Sequence, residues 1–226
     1  EAFKRNVFVR VDAAPGGDGT AERPFNSISN ALVAAPWFGT VHVGPGRYRE
    51  CPVVEKCLTL VADEGPEKTV LDGSGFGSSV VTFREDGAAG SRLDGFTVTG
   101  GLGTYVPNVE HAATEFDFVG GGVFSRVAVT IRNCHVVGNG RRSAAKAPEI
   151  VREGARKRAR AGELPQTTSA GGGLYICSDW ENDGTIGERE VVGTVQNCVI
   201  SNNYAQAMGG GVAISGAGTV LLLDAS

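Results

Sequence analysis

The chain has 226 residues, and a single domain over residues 1–226 is the expectation for that length. It contains 34 Gly, one Met and 7% aromatic residues, a composition that favours short strands and tight turns over packed helices. No window approaches about 18 uninterrupted apolar residues, which excludes a membrane-spanning helix. The formal net charge is −4, and no nucleic-acid partner is expected.

The first predicted element is a short helix between Pro24 and Pro36. Apolar residues recur there at helical spacing, and Asn26 or Ser27 stands where a capping side chain is needed. Because open strand edges promote aggregation, we expect this capping segment, about residues 24–36, to cover the N-terminal end of a stack of strands.

Three segments after the helix alternate apolar and polar residues with a period of two, as half-buried strands do. They cover residues 40–49, 57–61 and 80–84. We expect these strands to form the first coils of the stack.

A repeat is the strongest signal in the chain. An aliphatic residue, Asn, Cys, a second aliphatic residue and a final Asn keep one register over residues 131–139 and 195–203. Residues 93–100 fit the same frame, with Gly and Phe in place of Asn and Cys. A second series, in which a Gly-Gly pair precedes a short apolar strand, begins at Gly121, Gly172 and Gly210. Units this small cannot bury an apolar face alone, so they must stack into a solenoid.

The repeated Asn and Cys have separate physical reasons. Asn tolerates the left-handed backbone of a tight turn, and stacked Asn amides can bond to one another along the solenoid axis. Cys134 and Cys198 alternate inward with Ile131 and Val195, so we interpret them as stacked core residues and not as ligands.

The opening of the chain reads GGDGT at residues 16–20, RPF at 23–25 and PGRY at 45–48. This arrangement resembles the opening of pectate-lyase-superfamily proteins, and the Asn-Cys and Gly-Gly units are similar to those of right-handed β-helix domains. The resemblance implies an all-β fold: a right-handed parallel β-helix solenoid with an N-terminal capping helix and long loop insertions.

The resemblance is specific for fold and not for activity. Members of that superfamily include polysaccharide lyases, hydrolases, esterases, epimerases, phage tailspikes and adhesins. The chain shows no Gln-Asp with a second Asp and Arg in the pectin-methylesterase arrangement, which disfavours that activity.

Three insertions interrupt the repeat, at about residues 102–119, 140–170 and 178–193. The first two leave the solenoid at one corner of successive coils and would build a wall, so we expect a binding groove beside them. Residues 141–163 hold eight Lys/Arg against three Glu. This basic segment would either steer an anionic polymer or form a solvated helical insertion.

The third insertion contains a candidate calcium site. Its oxygen-bearing side chains stand at positions one, three, five and twelve of a loop with Gly at position six, a spacing that resembles a calcium-binding loop. The four candidate ligands are Asp179, Glu181, Asp183 and Glu190. The alternative is an acidic surface loop, because Glu replaces the usual residue at position three and no flanking helices are predicted.

Four residues are candidates for substrate binding. Phe124 and Tyr175 occupy equivalent outward positions on adjacent coils, and Trp180 follows just beyond. Outward aromatic rings can stack on sugars, or they can pack beneath the insertions. Arg142, in the second insertion, could neutralise a uronate carboxylate.

The candidate catalytic residues are Arg132, Arg126, His135 and His111. The first three lie near or on the outward faces of one coil, and Arg132 could pair with a uronate carboxylate. His111 stands among acidic residues that could supply acid and base for glycoside hydrolysis. The outward face of a strand is polar in any case, so a purely structural role stays open for each.

The sequence therefore predicts a secreted or cell-surface carbohydrate-active β-helix, acting as a polysaccharide lyase or glycoside hydrolase on an anionic polysaccharide, with calcium as a possible cofactor. The alternative is a noncatalytic adhesin or a carbohydrate-binding or structural β-helix. The last unit ends before its coil is complete, and we expect self-association through this uncapped C-terminal coil.

Overall fold

The computed structural model describes residues 5–84, 86–105, 118–140, 169–178, 191–206, 208–216 and 219–224. Over these residues the chain winds through three parallel sheets, which we call sheets A, B and C, in a repeating order. The predicted class, an all-β right-handed parallel β-helix, is confirmed.

Sheet A has seven parallel strands and contributes one strand to every coil. Its members are β1 (Asn6–Val9), β2 (Thr40–Val43), β5 (Thr59–Ala62), β8 (Ser91–Asp94), β13 (Val129–Arg132), β17 (Val191–Gln196) and β20 (Thr219–Asp224).

Sheets B and C have five parallel strands each. Sheet B consists of β3 (Gly46–Tyr48), β6 (Thr69–Asp72), β9 (Thr97–Thr99), β14 (His135–Val137) and β18 (Val199–Ser201). Sheet C consists of β4 (Val53–Val54), β7 (Val81–Phe83), β12 (Val123–Ser125), β16 (Leu174–Cys177) and β19 (Val212–Ser215).

A small outer sheet, sheet D, lies at the roots of the first two insertions. It contains β10 (Thr104–Tyr105), β11 (Phe118–Val119) and β15 (Ser169–Ala170). Strand β11 pairs antiparallel with β10 and parallel with β15. The first insertion therefore runs between β10 and β11, and the second returns to the helix at β15.

The core consists of inward side chains that stack at equivalent positions of successive coils. Leu60, Leu93, Ile131 and Val195 are register partners on successive strands of sheet A, and each is 0–4% exposed. Each such aliphatic side chain contributes roughly 1.5–3 kcal/mol when it is removed from water. The period-two pattern in the sequence is thus converted into a continuous apolar column.

The predicted Asn and Cys positions behave as the repeat indicated. Asn133 and Asn197 have φ angles of 52° and 47°, and the amide of Asn197 donates to Asn133 Oδ1 over 2.9 Å. Gly95, which takes the place of Asn in the earlier coil, has φ 81°. Cys134 is fully buried in the core and Cys198 packs against it. Both the left-handed turn and the stacked cysteines are confirmed.

One α-helix, α1 (Ile28–Ala34), covers the N-terminal coil within the predicted segment. Ser27 is its N-cap, and Glu50 accepts hydrogen bonds from the backbone N–H groups of Ile28 and Ser29 at 2.8 and 2.9 Å. A 3-10 turn, Asp86–Ala88, lies between sheets C and A. Among the described residues, no helix is long and apolar enough to cross a membrane.

Candidate functional site

Sheet A turns into sheet B at a corner that carries most of the described polar candidates. We call it the asparagine corner, and it comprises Asn133 and Asn197 with the adjoining Asp94, Arg132 and His135. The left-handed Asn residues redirect the chain in a turn of two residues, so the last side chain of sheet A and the first of sheet B flank the same turn.

Arg132 is held by an acidic residue of the preceding coil. Its Nε lies 2.6 Å from Oδ2 of Asp94, its register partner on β8. Asp94 is only 6% exposed and also accepts a hydrogen bond from the Asn133 amide over 2.8 Å. The carboxylate of Asp94 fixes the orientation of the Arg132 guanidinium, which can recognise a carboxylate through its planar set of donors.

His135 begins β14 and faces outward on sheet B. Its Nδ1 lies 3.6 Å from the carboxylate of Glu67, which is itself largely exposed. Its register partner on β9, Thr97, donates to the carbonyl of Pro66 over 2.7 Å. The corner therefore brings together two of the four candidate catalytic residues, Arg132 and His135.

A cavity of about 580 Å³ opens at the asparagine corner. Its lining includes Asn133, Asn197, His135, Asp224 and, at the edge of the core, Cys198. Because both asparagine side chains are exposed and hold each other in place, they present amide groups in a fixed orientation toward this space.

The two stacked cysteines differ in acidity. A hydrogen bond from Cys134 lowers the pKa of Cys198 from 9.0 to about 7, whereas burial raises the pKa of Cys134 well above its usual value. The backbone N–H of Cys134 also donates a hydrogen bond to the Sγ atom of Cys198 over 3.4 Å. Cys198, which borders the cavity, therefore deprotonates first.

Arg126 lies at a different corner. It follows β12, where the chain passes from sheet C to sheet A, and its backbone N–H donates to the carbonyl of Phe83 over 3.0 Å. Its side chain is half-buried and makes contacts of its own. The fold thus separates Arg126 from Arg132 and His135, although all three belong to one coil.

Phe124 and Tyr175 face away from the main core, as the alternation predicts, but they are not open to solvent. They are 5% and 2% exposed, with ring centroids 6.2 Å apart. Val119 and Ala170 of sheet D pack with them in a separate apolar cluster. These rings therefore do not form an open surface on which a sugar could stack. They pack beneath the outer sheet, which was the alternative interpretation.

The other candidates lie outside the described residues. These are His111, Arg142 and Trp180 and the four predicted calcium ligands, Asp179, Glu181, Asp183 and Glu190. Within the part of the chain that the structure describes, no group of three or more His, Cys, Asp or Glu side chains is placed to hold a metal ion.

Two residues of the corner were missed in the sequence. Asp94 precedes Arg132 by 38 positions and Glu67 precedes His135 by 68. The signal for Asp94 was present, because residues 93–100 share the register of 131–139, and that alignment places Asp94 directly beside Arg132. Glu67 lies in an irregular segment with no repeat partner, so nothing in the sequence indicated its position.

The spacing of the strands limits the chemistry of this corner. Asp94 and Asp224 occupy one outward row of sheet A, separated by Arg132 and Gln196. Three strand spacings place their backbones roughly 14 Å apart, beyond the roughly 5–9.5 Å between the carboxylates of a glycosidase. These two carboxylates are therefore too far apart to act as the acid and base pair of a glycoside hydrolase.

No family model matches this chain, and no curated protein matches it. Among solved structures, the chain is similar to Escherichia coli YbhC, with 15% identity and a TM-score of 0.43 over 97% of this chain. The chain spans 64% of the length of that structure. A pectin methylesterase from carrot is 14% identical, with a TM-score of 0.32 over 92% of this chain and 88% of its own. Likeness at this level carries no argument about activity.

Proposed function

We propose that this chain is a carbohydrate-active β-helix that works outside the cytoplasm and binds a polysaccharide at the asparagine corner. The observation that supports the proposal is the cavity of about 580 Å³, whose lining includes the amides of Asn133 and Asn197, the imidazole of His135 and the carboxylate of Asp224. The Arg132–Asp94 pair lies outside this lining, on the adjoining end of sheet A. Such groups pair with sugar hydroxyls as donors and acceptors. Because the corner is held by stacked strands, little conformational entropy is lost on binding.

The proposed ligand is an acidic polysaccharide. The asparagine corner alone does not carry this preference, because Asp94, Glu67 and Asp224 accompany Arg132 there. The preference is supported by the basic segment 141–163, with eight Lys/Arg against three Glu. A cluster of this sign attracts a polyanion over about 30 Å at about 0.01 M ionic strength and over about 10 Å at about 0.1 M.

Within this proposal, the reaction is β-elimination by a polysaccharide lyase. Arg132 pairs with the uronate carboxylate, His135 takes the C5 proton, and the C4–O bond breaks as the leaving oxygen takes a proton from water. The noncatalytic alternative, an adhesin or a carbohydrate-binding or structural β-helix, is favoured by one observation. Arg132 is already paired with Asp94 at 2.6 Å, so its guanidinium is not free to take a proton from the substrate.

The deciding experiment measures the ultraviolet absorbance of unsaturated products on pectate, alginate and glycosaminoglycans, first with calcium and then with chelator. A rise on one polymer establishes lyase chemistry and names the substrate. Binding without a rise supports the noncatalytic alternative. Absence of both binding and product from the folded chain overturns the proposal.

Substitution of Asn197 tests whether the polymer lies at the asparagine corner. Asn197→Gly removes the amide but keeps a residue that readily adopts the left-handed backbone, so we expect the turn to persist. Binding should weaken about tenfold, as for one lost hydrogen bond of about 1.4 kcal/mol. The matched control is Asn202→Gly, which makes the same change at a left-handed Asn outside the cavity lining. Equal effects of the two would move the site elsewhere.

The basic segment is tested by deletion of residues 141–163. We expect binding to polyuronates to weaken at low salt and to differ little from the intact chain at high salt, because screening removes the attraction. Unchanged binding at low salt would return this segment to a solvated insertion.

A further inference from the structure

Two cysteines stack on each other at the edge of the core, behind the asparagine corner. The strands on both sides of them are in register, β13 with β17 and β14 with β18, so Cys134 and Cys198 occupy equivalent positions of adjacent coils. One strand spacing of about 4.8 Å therefore separates their Cα atoms. A disulfide spans Cα atoms that are about 4.4–6.8 Å apart, so the backbone already has the separation that a bridge requires.

The two sulfur atoms are also in contact. The backbone N–H of Cys134 donates to Sγ of Cys198 over 3.4 Å, and that of Phe96, at the equivalent position of the preceding coil, donates to Sγ of Cys134 over 3.5 Å. A hydrogen bond joins the two thiols themselves. The sulfur atoms therefore face each other with no other side chain between them.

The two thiols differ in their access to solvent. Cys134 is fully buried. Cys198 is half-buried and borders the cavity of about 580 Å³ at the asparagine corner. A small uncharged reagent that enters the cavity therefore reaches Cys198 first, and Cys134 lies directly behind it.

The acidity of the thiols favours the same order of reaction. The pKa of Cys198 is about 7, because Cys134 donates a hydrogen bond to it, and the thiolate is the nucleophilic form of cysteine. Burial raises the pKa of Cys51 and of Cys57, which are half-buried like Cys198. These two thiols stay protonated at neutral pH and provide a comparison within the same chain.

We propose that Cys134 and Cys198 are a peroxide-reactive pair that closes into a disulfide between adjacent coils. First, the Cys198 thiolate attacks one oxygen of hydrogen peroxide, the O–O bond breaks, and a sulfenic acid and a hydroxide ion form. The Cys134 sulfur then attacks the sulfur of the sulfenic acid. The S–O bond breaks, and the hydroxyl group leaves as water with the proton of Cys134. The two sulfurs together lose two electrons, which the peroxide accepts.

This modification is reversible and independent of sugar binding. A thiol reductant such as dithiothreitol returns the disulfide to two thiols. The bridge closes a loop between residues 64 positions apart, which restricts the unfolded chain and should raise the melting temperature of the oxidised protein. No polysaccharide takes part in the reaction, so it can fail or succeed whatever the asparagine corner binds.

Peptide mapping of the intact chain measures the reaction. Each of the five cysteines lies on a tryptic peptide of its own, because an Arg or Lys stands between each cysteine and the next. The folded chain is treated with hydrogen peroxide at pH 7, the remaining thiols are blocked with iodoacetamide, and linked peptides are identified by mass spectrometry. We expect peptides 133–141 and 190–226 to be joined and the free thiols to fall from five to three.

The pH dependence of the rate tests which thiol reacts first. The thiolate fraction of Cys198 increases as the pH rises through its pKa, so the rate of disulfide formation should be half-maximal near pH 7 and level off above about pH 8. Oxidation of Cys51 and Cys57 should be at least about fivefold slower at pH 7. Their rates should continue to rise at higher pH.

Matched variants separate the two steps. Cys134→Ala should stop the reaction at the sulfenic acid of Cys198, which dimedone labels, and Cys198→Ala should leave Cys134 reduced. Cys57→Ala is the control, because it removes a half-buried thiol elsewhere in the chain and should leave formation of the disulfide unchanged. Circular dichroism establishes that each variant is folded.

Three outcomes overturn the proposal. The first is a peroxide-treated parent chain in which peptides 133–141 and 190–226 stay unlinked. The second is oxidation of Cys51 or Cys57 as fast as that of Cys198 at pH 7. The third is linkage between two chains only, which a non-reducing gel shows as a covalent dimer.

Discussion

At the scale of single residues, the asparagine corner depends on side chains that serve two neighbours at once. Asp94 accepts from both Arg132 and Asn133, and Asn133 accepts in turn from Asn197. Because these groups belong to three successive coils, each hydrogen bond also fixes the alignment of one coil on the next. A substitution at one of these positions therefore also affects the hydrogen bonds of its partners in the neighbouring coils.

We predict that Asp94→Ala lowers the free energy of unfolding by about 2 kcal/mol, since it removes a buried carboxylate that accepts hydrogen bonds from both Arg132 and Asn133. Urea denaturation measures this value. The control is Asp12→Ala, because both partners of the Asp12–Arg10 pair are mostly exposed and such pairs contribute about 0–1 kcal/mol. Equal losses in the two variants would contradict the assigned role of Asp94.

A second residue-scale prediction concerns acid stability. Hydrogen bonds from Ser74 and then from Arg47 lower the pKa of Asp72 from 3.8 to about 2, and the side chain is only 10% exposed. A lowered pKa in the folded state stabilises the fold above about pH 4, and this contribution of about 2 kcal/mol disappears as the pH falls to about 2.

Urea titrations at pH 5 and near pH 2 test this prediction. Asp72→Asn should be less stable than the parent chain at pH 5 and should approach it at the lower pH. A constant difference between the two chains at both pH values would show that the carboxylate charge is not the cause.

At the scale of elements, the N-terminus of α1 is capped by a residue outside the helix. Glu50 accepts from the hydroxyls of Ser27 and Ser29 at 3.1 and 2.7 Å, in addition to two backbone N–H groups. A carboxylate at the N-terminus of a helix satisfies unpaired donors and complements the helix dipole.

Glu50→Ala should therefore lower the free energy of unfolding by about 1–2 kcal/mol and speed hydrogen exchange in α1 before other elements. Thermal denaturation and amide exchange measure the two effects. Glu64→Ala serves as the control, because Glu64 pairs with Lys68, which is exposed. If exchange in α1 is unaltered by Glu50→Ala, the helix is held by packing alone.

The candidate calcium ligands of residues 179–190 lead to a second prediction at this scale. If Asp179, Glu181, Asp183 and Glu190 bind calcium, added calcium at about 100 times its Kd stabilises the fold by about 2.7 kcal/mol, and chelator reverses the effect. Thermal denaturation with and without calcium measures this shift.

The matched variants at position 183 make the calcium experiment specific. Asp183→Ala should abolish the shift, whereas Asp183→Asn should retain part of it, because an amide oxygen is also a calcium ligand. No shift in the parent chain would leave the loop as an acidic surface segment.

At the scale of the whole molecule, stability comes from stacking equivalent coils. Val195 on β17 and Leu223 on β20 are register partners, yet Val195 is 4% exposed and Leu223 is 71% exposed. The inward side chain of a coil is therefore buried by the coil that is stacked on it.

The sequence by itself determined the fold and the turns, because these depend on short patterns that recur once per coil. The inward positions of Ile131 and Cys134 and the left-handed turn at Asn133 were predictable from the repeat. Equivalent residues stand 64 positions later, at Val195, Cys198 and Asn197. A repeat turns a local preference into a stack, and no long-range information is needed to recognise it.

Only the tertiary structure decided which outward residues are available. The alternation placed Phe124 and Tyr175 outward, but their burial depends on Val119 and Ala170 of sheet D, which stand five positions before the two rings and pack with them. The contact of His135 with Glu67 depends on an irregular segment of a neighbouring coil. The alternation shows only which side of a strand a residue takes, because its exposure is set by what packs against that side.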